Sequence, residues 1–133
     1  MQHILSLSYG KDSCACLGAI EKLGWPIDRI VHAEVWATDT IPGDHPDMIA
    51  FKNKADRIIK ERWGIEVEHI RADRSYQDVF YSTFSKGNKA GQIYGFPMTR
   101  GAWCNDRLKV GVLDRIEKDC VHYVGIAADE ILL

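Results

Sequence analysis

Apolar and polar residues in the N-terminal half of this chain alternate between strand-like and helix-like spacing. The short apolar run from Ile4 to Leu7 predicts a buried strand. A helix is predicted next, over residues 14–23, because apolar residues recur there on one helical face: Cys16, Leu17, Ile20 and Leu23. Gly24 and Pro26 end this pattern, since glycine suits the position after a helix and proline cannot continue one.

Two further strands and a long helix are predicted before residue 71. Arg29 to Ala37 is rich in β-branched and aromatic residues and predicts the second strand, and the alternation from Ile65 to Ile70 predicts a third strand at a sheet edge. Between them, Pro46 opens a helix whose predicted buried face is apolar: Met48, Phe51, Ala55, Ile58, Ile59 and Trp63. Its charged residues predict a solvated face: Lys52, Lys54, Lys60 and Glu61.

The alternation of predicted strands and helices does not continue through the segment 71–103. Residues 75–78 predict a capping box for a short helix that reaches Phe84. A polar, glycine-rich stretch follows, in which Lys86 and Lys89 predict either a lid over an anionic ligand or a solvated loop.

The last regular elements are a helix and a strand. The helix is predicted over about residues 105–120, capped by Asn105 or Asp106, and the strand from Val121 to Ile126. Strands that alternate with helices imply a parallel sheet with right-handed crossovers. We therefore expect an α/β fold with three layers (α/β/α) around a sheet of about four strands. The strand order that we expect is 3-2-1-4.

Size and composition are those of one soluble globular domain. The chain has 133 residues, of which 46% are hydrophobic and 27% are charged, and its formal net charge is -2. This charge gives no reason to expect general affinity for nucleic acid or membranes, and no apolar run is long enough to span a bilayer. We expect a cytoplasmic protein with no membrane partner.

The four cysteines include no C-x-x-C pair, which argues against a zinc ribbon and against a thioredoxin-type redox pair. Cys14, Cys16 and Cys120 are predicted to pack as small apolar groups. Cys104 is either a packed thiol or a reactive thiolate.

The segment Ser8-Tyr-Gly-Lys-Asp-Ser13 joins the first strand to the first helix and predicts an anion site. Amides at a helix N-terminus have no intrahelical partner, and the helix dipole favours negative charge there. Ser8 and Ser13 add hydroxyl groups, Gly10 permits close backbone approach, and Lys11 adds a cation.

The alternative for this segment is an ordinary strand-to-helix turn with Asp12 or Ser13 as the N-cap. The segment is not a Walker A loop, because Gly10 and Lys11 are followed by Asp12, and the chain contains no G-x-G-x-x-G.

Asp39 follows the second predicted strand. Ligands of open α/β sheets lie beyond the carboxyl ends of the strands, so Asp39 is expected beside the Ser8–Ser13 segment. Its carboxylate would bind ribose hydroxyls or Mg²⁺, or it would cap a solvated loop. Asp12 is the second carboxylate that we expect near a Mg²⁺ ion.

The stretch from Gly95 to Lys109 combines cations with a predicted helix N-terminus. Arg100 or Arg107 has the geometry to pair bidentately with phosphate or sulfate, and Lys109 supplies a point charge.

The Ser8–Ser13 segment resembles the S-G-G-K-D-S loop of the PP-loop nucleotide-binding superfamily, with Tyr9 in place of the first glycine. The surrounding chain resembles the phosphoadenosine phosphosulfate (PAPS) reductase family and its adenine nucleotide alpha-hydrolase-like fold. The resemblance implies an adenine nucleotide (PAPS, adenosine phosphosulfate or ATP) held by the whole segment, including Tyr9 and Asp12, at the switch point between the first and fourth strands.

Three further stretches carry the same resemblance. Thr38-Asp-Thr40 resembles the segment after the family's second strand, which implies a nucleotide-binding role for Asp39. Arg100, Cys104 and Lys109 resemble the segment placed over the nucleotide, which implies binding by Arg100 and catalytic roles for Cys104 and Lys109. Gly125 belongs to a stretch, with Ala127 in place of the family's arginine, that resembles a C-terminal signature ending in Asp129-Glu130.

Cys104 stands alone where iron–sulfur-bearing relatives carry an adjacent cysteine pair, so no iron–sulfur cluster is expected. We also expect this sequence to lack the C-terminal segment in which thiol-dependent reductases carry their nucleophile.

Three functions remain open at this point. The first is a sulfonucleotide reductase, in which a thiolate attacks sulfur and a thioredoxin-like reductant releases sulfite. The second is a Mg²⁺-dependent ATP pyrophosphatase that adenylates an acceptor. The third is a catalytically incomplete nucleotide-binding subunit that acts with a partner protein, and a homodimer is a further expectation.

Overall fold

The computed structural model describes residues 1–98, 102–116 and 118–128. Its four strands all pair in parallel and lie in the order β3-β2-β1-β4. They are β1 (Gln2–Ser6), β2 (Arg29–Glu34), β3 (Val67–Arg71) and β4 (Cys120–Tyr123). Helices flank this sheet, so the predicted α/β architecture, the strand order and the edge position of β3 are confirmed.

The first crossover is helix α1 (Lys11–Leu23), which begins three residues before the predicted start. Its N-cap is Gly10, without a side-chain cap, so the alternative with Asp12 or Ser13 as the N-cap is wrong. Gly24 ends the helix in the left-handed conformation at φ 66°, where glycine carries no Cβ penalty.

The second crossover is helix α2 (Pro46–Trp63), which begins at proline as predicted. The face that it turns towards the sheet differs from the prediction. Lys52 is buried at 7% exposure, whereas Met48, Phe51 and Ile58 are all more than 40% exposed. Lys52 shares its face with residues three, four, seven and eleven positions later: Ala55, Asp56, Ile59 and Trp63. The predicted solvated position of Lys52 is therefore wrong, and its ion pair explains why.

The central strands are buried on both faces. Leu5, Leu7 and Ile30 pack with Leu17 of α1 and Ile59 of α2 in one apolar cluster. Alternate side chains of a strand point to opposite faces, and the intervening residues Ile4 and Val31 are also buried. Such burial is typical of parallel strands that carry helices on both sides.

Between β3 and the last helices, the chain forms helix α3 (Tyr76–Phe80) and a looped segment. The predicted capping box is confirmed, because the Asp78 amide donates to Ser75 Oγ (3.2 Å) and the Ser75 amide donates to Asp78 Oδ2 (2.9 Å). The helix ends at Phe80 rather than at Phe84.

The last helical segment also differs from the prediction. It comprises α4 (Trp103–Asn105), a π-helical turn (Asp106–Val110) and α5 (Gly111–Asp114). Ala102 is its N-cap, so Asn105 and Asp106 lie inside the helical segment instead of capping it. No helix in the described part of the chain is both long and apolar enough to cross a membrane.

Candidate functional site

A cavity of about 540 Å³ opens beyond the carboxyl ends of the central strands. We name it the switch-point cavity, because the strand order changes direction at β1: β2, which follows α1, lies on one side of β1, and β4 lies on the other. The residues that line it come from all parts of the fold: Ser6, Leu7, Ser8, Ser13, Val31, His32, Ala33, Val35, Ala37, Gly43, Asp44, Met48, Lys52, Tyr76, Lys109, Leu113, Val124 and Gly125.

The loop between β1 and α1 presents two serine hydroxyls to this cavity. Ser8 Oγ and Ser13 Oγ are 3.0 Å apart, and the Ser8 amide donates to Ser13 Oγ over 3.2 Å. The first full turn of α1 closes with the hydrogen bond from the Cys14 amide to the Gly10 carbonyl (3.0 Å). The amides of the three preceding helical residues therefore have no partner one turn back, which is the arrangement that binds anions.

Gly125 closes the cavity on the side of β4. A Cβ placed on Gly125 would lie 2.6 Å from the Asp12 carbonyl oxygen and 2.7 Å from the Ser13 nitrogen. Real Cβ atoms do not approach backbone atoms so closely, so only glycine lets the chain after β4 pass against the first turn of α1.

Two lysines bring positive charge to the cavity wall. Lys109 comes from the π-helical turn, a form that often occurs at functional sites. Lys52 comes from α2, and its ammonium group forms an ion pair with Asp44 and lies 2.8 Å from His32 Nε2. A buried ammonium group requires such partners, so Asp44 and His32 determine where the Lys52 charge lies.

His32 is a buried residue of the cavity wall. Its Nδ1 lies 2.7 Å from the Leu7 carbonyl oxygen, which only a protonated Nδ1 satisfies. Burial lowers the pKa of His32, and the Lys52 cation also lowers this pKa, whereas the hydrogen bond to the Leu7 carbonyl raises it. The neutral ring therefore offers a lone pair at Nε2.

Tyr9 points away from the cavity into the layer between the sheet and α2. Its backbone has φ 63°, a left-handed conformation that glycine adopts more readily than other residues. The hydroxyl donates to Asp56 Oδ1 (2.5 Å) and lies 3.2 Å from His69 Nε2. Burial and the neighbouring Asp56 raise the pKa of Tyr9 far above its ordinary value. Its side chain is thus part of the core.

Four of the predicted site residues meet in the switch-point cavity: Ser8, Ser13, Lys109 and Gly125. Five others are described by the structure but do not line it: Tyr9, Gly10, Lys11, Asp12 and Cys104. Arg100, Asp129 and Glu130 lie outside the described residues.

Asp39 lines a different cavity, of about 350 Å³, together with Glu34, Trp36 and Arg71. The Arg71 guanidinium lies 4.3 Å from the centre of the Trp36 ring and 3.4 Å from the Asp39 carbonyl oxygen. Asp39 and Asp12 therefore do not face each other across the switch-point cavity, as a shared Mg²⁺ would require.

The cysteines and the loop lysines also lie elsewhere. Cys104 is half-buried in α4, and the described residues that line the switch-point cavity include no cysteine. Burial raises the pKa of Cys14 and of Cys16, as expected for packed thiols. Lys89 lies 5.8 Å from the centre of the Phe84 ring and lines a separate cavity, so it does not cover the switch-point cavity.

The sequence interpretation missed Lys52, Asp44 and His32. A signal existed for Lys52, because it falls on the helical face that also carries Ile59 and Trp63. Asp44 and His32 carried no comparable signal, since their roles depend on contacts between segments that are distant in the sequence.

Comparison with known proteins identifies no relative: no family model, no curated protein and no solved structure matches this chain. The candidate site therefore rests on the residues and geometry of the chain itself.

Proposed function

We propose that the switch-point cavity binds an adenine nucleotide, either a sulfonucleotide (PAPS or adenosine phosphosulfate) or ATP. One observation carries this proposal: Ser8, Ser13, Lys109 and Gly125, which the loop resemblance and its companion stretches singled out, line a single cavity. The volume of about 540 Å³ lies within the range of small-molecule sites, roughly 300–1,000 Å³.

The phosphate or sulfate group would lie at the start of α1. Donors and charge there come from three residues of the cavity wall: the hydroxyls of Ser8 and Ser13, with Ser13 in the first turn of α1, and the ammonium group of Lys109. Helix N-termini and lysines are both common phosphate-binding groups. Lys11 is exposed and does not line the cavity, so it contributes to long-range attraction rather than to direct contact.

The base and ribose would occupy the apolar part of the cavity. The apolar side chains that line it include Val31, Val35, Met48, Leu113 and Val124. A mostly apolar cavity with a few convergent polar groups is typical of sites that enclose an aromatic ligand and orient its charged end.

Binding is better supported than chemistry. A reductase reaction needs a thiolate at the sulfur atom of the bound nucleotide, and no described residue of the cavity wall is a cysteine. This observation favours ATP pyrophosphatase-like chemistry, or nucleotide binding without turnover as an accessory subunit, over sulfonucleotide reduction. In the pyrophosphatase alternative, Mg²⁺ would neutralise the phosphates beside Lys109.

Thermal unfolding with ATP, AMP, adenosine phosphosulfate and PAPS tests the proposal. A ligand at about one hundred times its Kd stabilises the folded state by about 2.7 kcal/mol, so at least one nucleotide should raise the Tm clearly. Lys109→Gln and Ser8→Ala should each reduce that rise. The matched control Lys118→Gln removes an exposed lysine outside the cavity and should leave it unchanged.

An equal stabilisation of wild type, Lys109→Gln and Ser8→Ala would show that the nucleotide binds elsewhere and would contradict the proposal. If binding is found, product analysis separates the three functions. Sulfite indicates a reductase, pyrophosphate indicates an adenylating enzyme, and unchanged nucleotide indicates a binding subunit.

A further inference from the structure

A second polar cluster lies between the sheet and α2, and its members are held in register by two strands. His32 of β2 and His69 of β3 are direct partners in the parallel ladder. Glu34 lies two residues after His32 and therefore on the same face of the sheet. One nitrogen from each histidine and one oxygen of Glu34 all lie within 4.8 Å of one another.

Both histidines are oriented by their other ring nitrogen. His32 Nδ1 lies 2.7 Å from the Leu7 carbonyl oxygen, and His69 Nε2 lies 2.6 Å from Asp56 Oδ2. These contacts direct His32 Nε2 and His69 Nδ1 towards Glu34, whose Oε1 is 2.5 Å from His69 Nδ1. Metal-binding histidines are fixed in this way, by a backbone carbonyl or a carboxylate at the nitrogen that does not bind the ion.

We propose that His32 Nε2, His69 Nδ1 and the Glu34 carboxylate bind a divalent transition-metal ion, with Zn²⁺ as the best match. Two imidazoles and one carboxylate are a three-ligand set that Zn²⁺ uses when its fourth position holds water. A cavity of about 190 Å³, lined by Glu34 and His69 together with Asp44 and Asn53, adjoins the cluster and provides room for that water.

Lys52 competes with the metal. Its ammonium group lies 2.8 Å from His32 Nε2, the lone pair that the ion would use, and it also pairs with Asp44. Metal binding replaces the lysine as the partner of His32 and leaves Lys52 on Asp44. Two cations then lie close together, so Lys52 weakens metal affinity without being a ligand.

This competition gives a test with opposite outcomes for neighbouring residues. The full chain is freed of metal by a chelator and titrated with Co²⁺, whose visible absorption reports coordination, and with Zn²⁺ against a chromophoric chelator. Wild type should bind one ion. His69→Gln and Glu34→Gln should each weaken binding at least about a hundredfold, since loss of even a supporting residue weakens it roughly 10–100-fold.

Lys52→Met should instead strengthen binding, by about fivefold or more, because it removes the competing cation. His3→Gln, which changes a histidine outside the cluster, should leave the affinity unchanged. Circular dichroism checks that each variant is folded. The proposal is overturned if wild type binds no stoichiometric Co²⁺ or Zn²⁺, if folded His69→Gln binds as tightly as wild type, or if folded Lys52→Met binds no more tightly.

Discussion

The Tyr9 hydroxyl donates a hydrogen bond of 2.5 Å to the Asp56 carboxylate and so ties the β1–α1 loop to the middle of α2. Tyr9 has φ 63°, a conformation that costs a residue with a Cβ roughly 1–2 kcal/mol. Its burial in the apolar cluster and its hydrogen bond offset that cost. The loop that forms one wall of the switch-point cavity is thus held from behind by a side chain that does not enter the cavity.

Tyr9→Phe should destabilise the fold by about 1–3 kcal/mol, because it removes a hydrogen bond to a charged group while keeping the ring in place. Urea unfolding measures this difference. Tyr81→Phe is the matched control, since Tyr81 is 61% exposed, and it should change the stability by less than about 0.5 kcal/mol. Equal effects of both substitutions would contradict the anchoring role of Tyr9.

Tyr9 should also stay protonated in alkaline solution for as long as the protein is folded. Its raised pKa means that the stabilisation is fully present below the unfolded pKa of about 10 and is lost progressively as the pH rises above it. Absorbance at 295 nm follows tyrosine ionisation. Just above pH 10, folded wild type and folded Tyr9→Phe should show the same absorbance at 295 nm, although the variant lacks one of the five tyrosines. A smaller signal from the folded variant would show that Tyr9 ionises normally.

Gly125→Ala should destabilise the fold by about 1–3 kcal/mol and weaken nucleotide binding, because its Cβ would press on the backbone of Asp12 and Ser13. Gly18→Ala is an opposite control. Gly18 lies inside α1 with open space around its Cα, so alanine there should stabilise the protein by up to about 1 kcal/mol. Thermal unfolding of the two variants, with and without nucleotide, measures whether Gly125→Ala lowers the stability and Gly18→Ala raises it. If Gly125→Ala leaves the stability unchanged, this result would contradict the close approach of Gly125 to the backbone of Asp12 and Ser13.

Ser75→Ala should cost about 1 kcal/mol, because Ser75 caps α3 and is itself buried. Ser85→Ala removes an exposed serine from the following loop and should be neutral. Chemical denaturation of both variants gives the comparison. If Ser75→Ala is as stable as Ser85→Ala, the capping box contributes nothing measurable to the fold.

Local patterns in the sequence predicted the parallel sheet and the capping box, and the strand order was expected as part of the whole fold. These patterns predicted only part of the α2 face that meets the sheet: Ala55, Ile59 and Trp63 pack there as predicted, whereas Met48, Phe51 and Ile58 are exposed. Hydrophobicity favoured Phe51 and Ile58, but the pairing of Lys52 with Asp44 and of Asp56 with Tyr9 and His69 decided the orientation. These pairs join distant segments, so no window of local sequence contains them.

The candidate site was predicted in part. The Ser8–Ser13 segment, Lys109 and Gly125 carry local signals and line the cavity. Asp39 was expected there because the second strand was predicted to run to Ala37. β2 ends at Glu34, and the following loop folds back through the hydrogen bond from the Gly43 amide to the Val35 carbonyl (2.9 Å), so Asp39 lines another cavity.

The π-helical turn also has a consequence for the C-terminal helical segment. A π turn holds more residues than an α turn, and each helical residue rotates the chain by about 100°. Deleting a single residue from this turn would restore an ordinary α-helix. The residues that follow would then rotate, so Val112 would leave its buried position and Leu113 would leave the cavity wall. The additional residue therefore sets the rotation of the last helix, and with it which side chains face the core and which face the cavity.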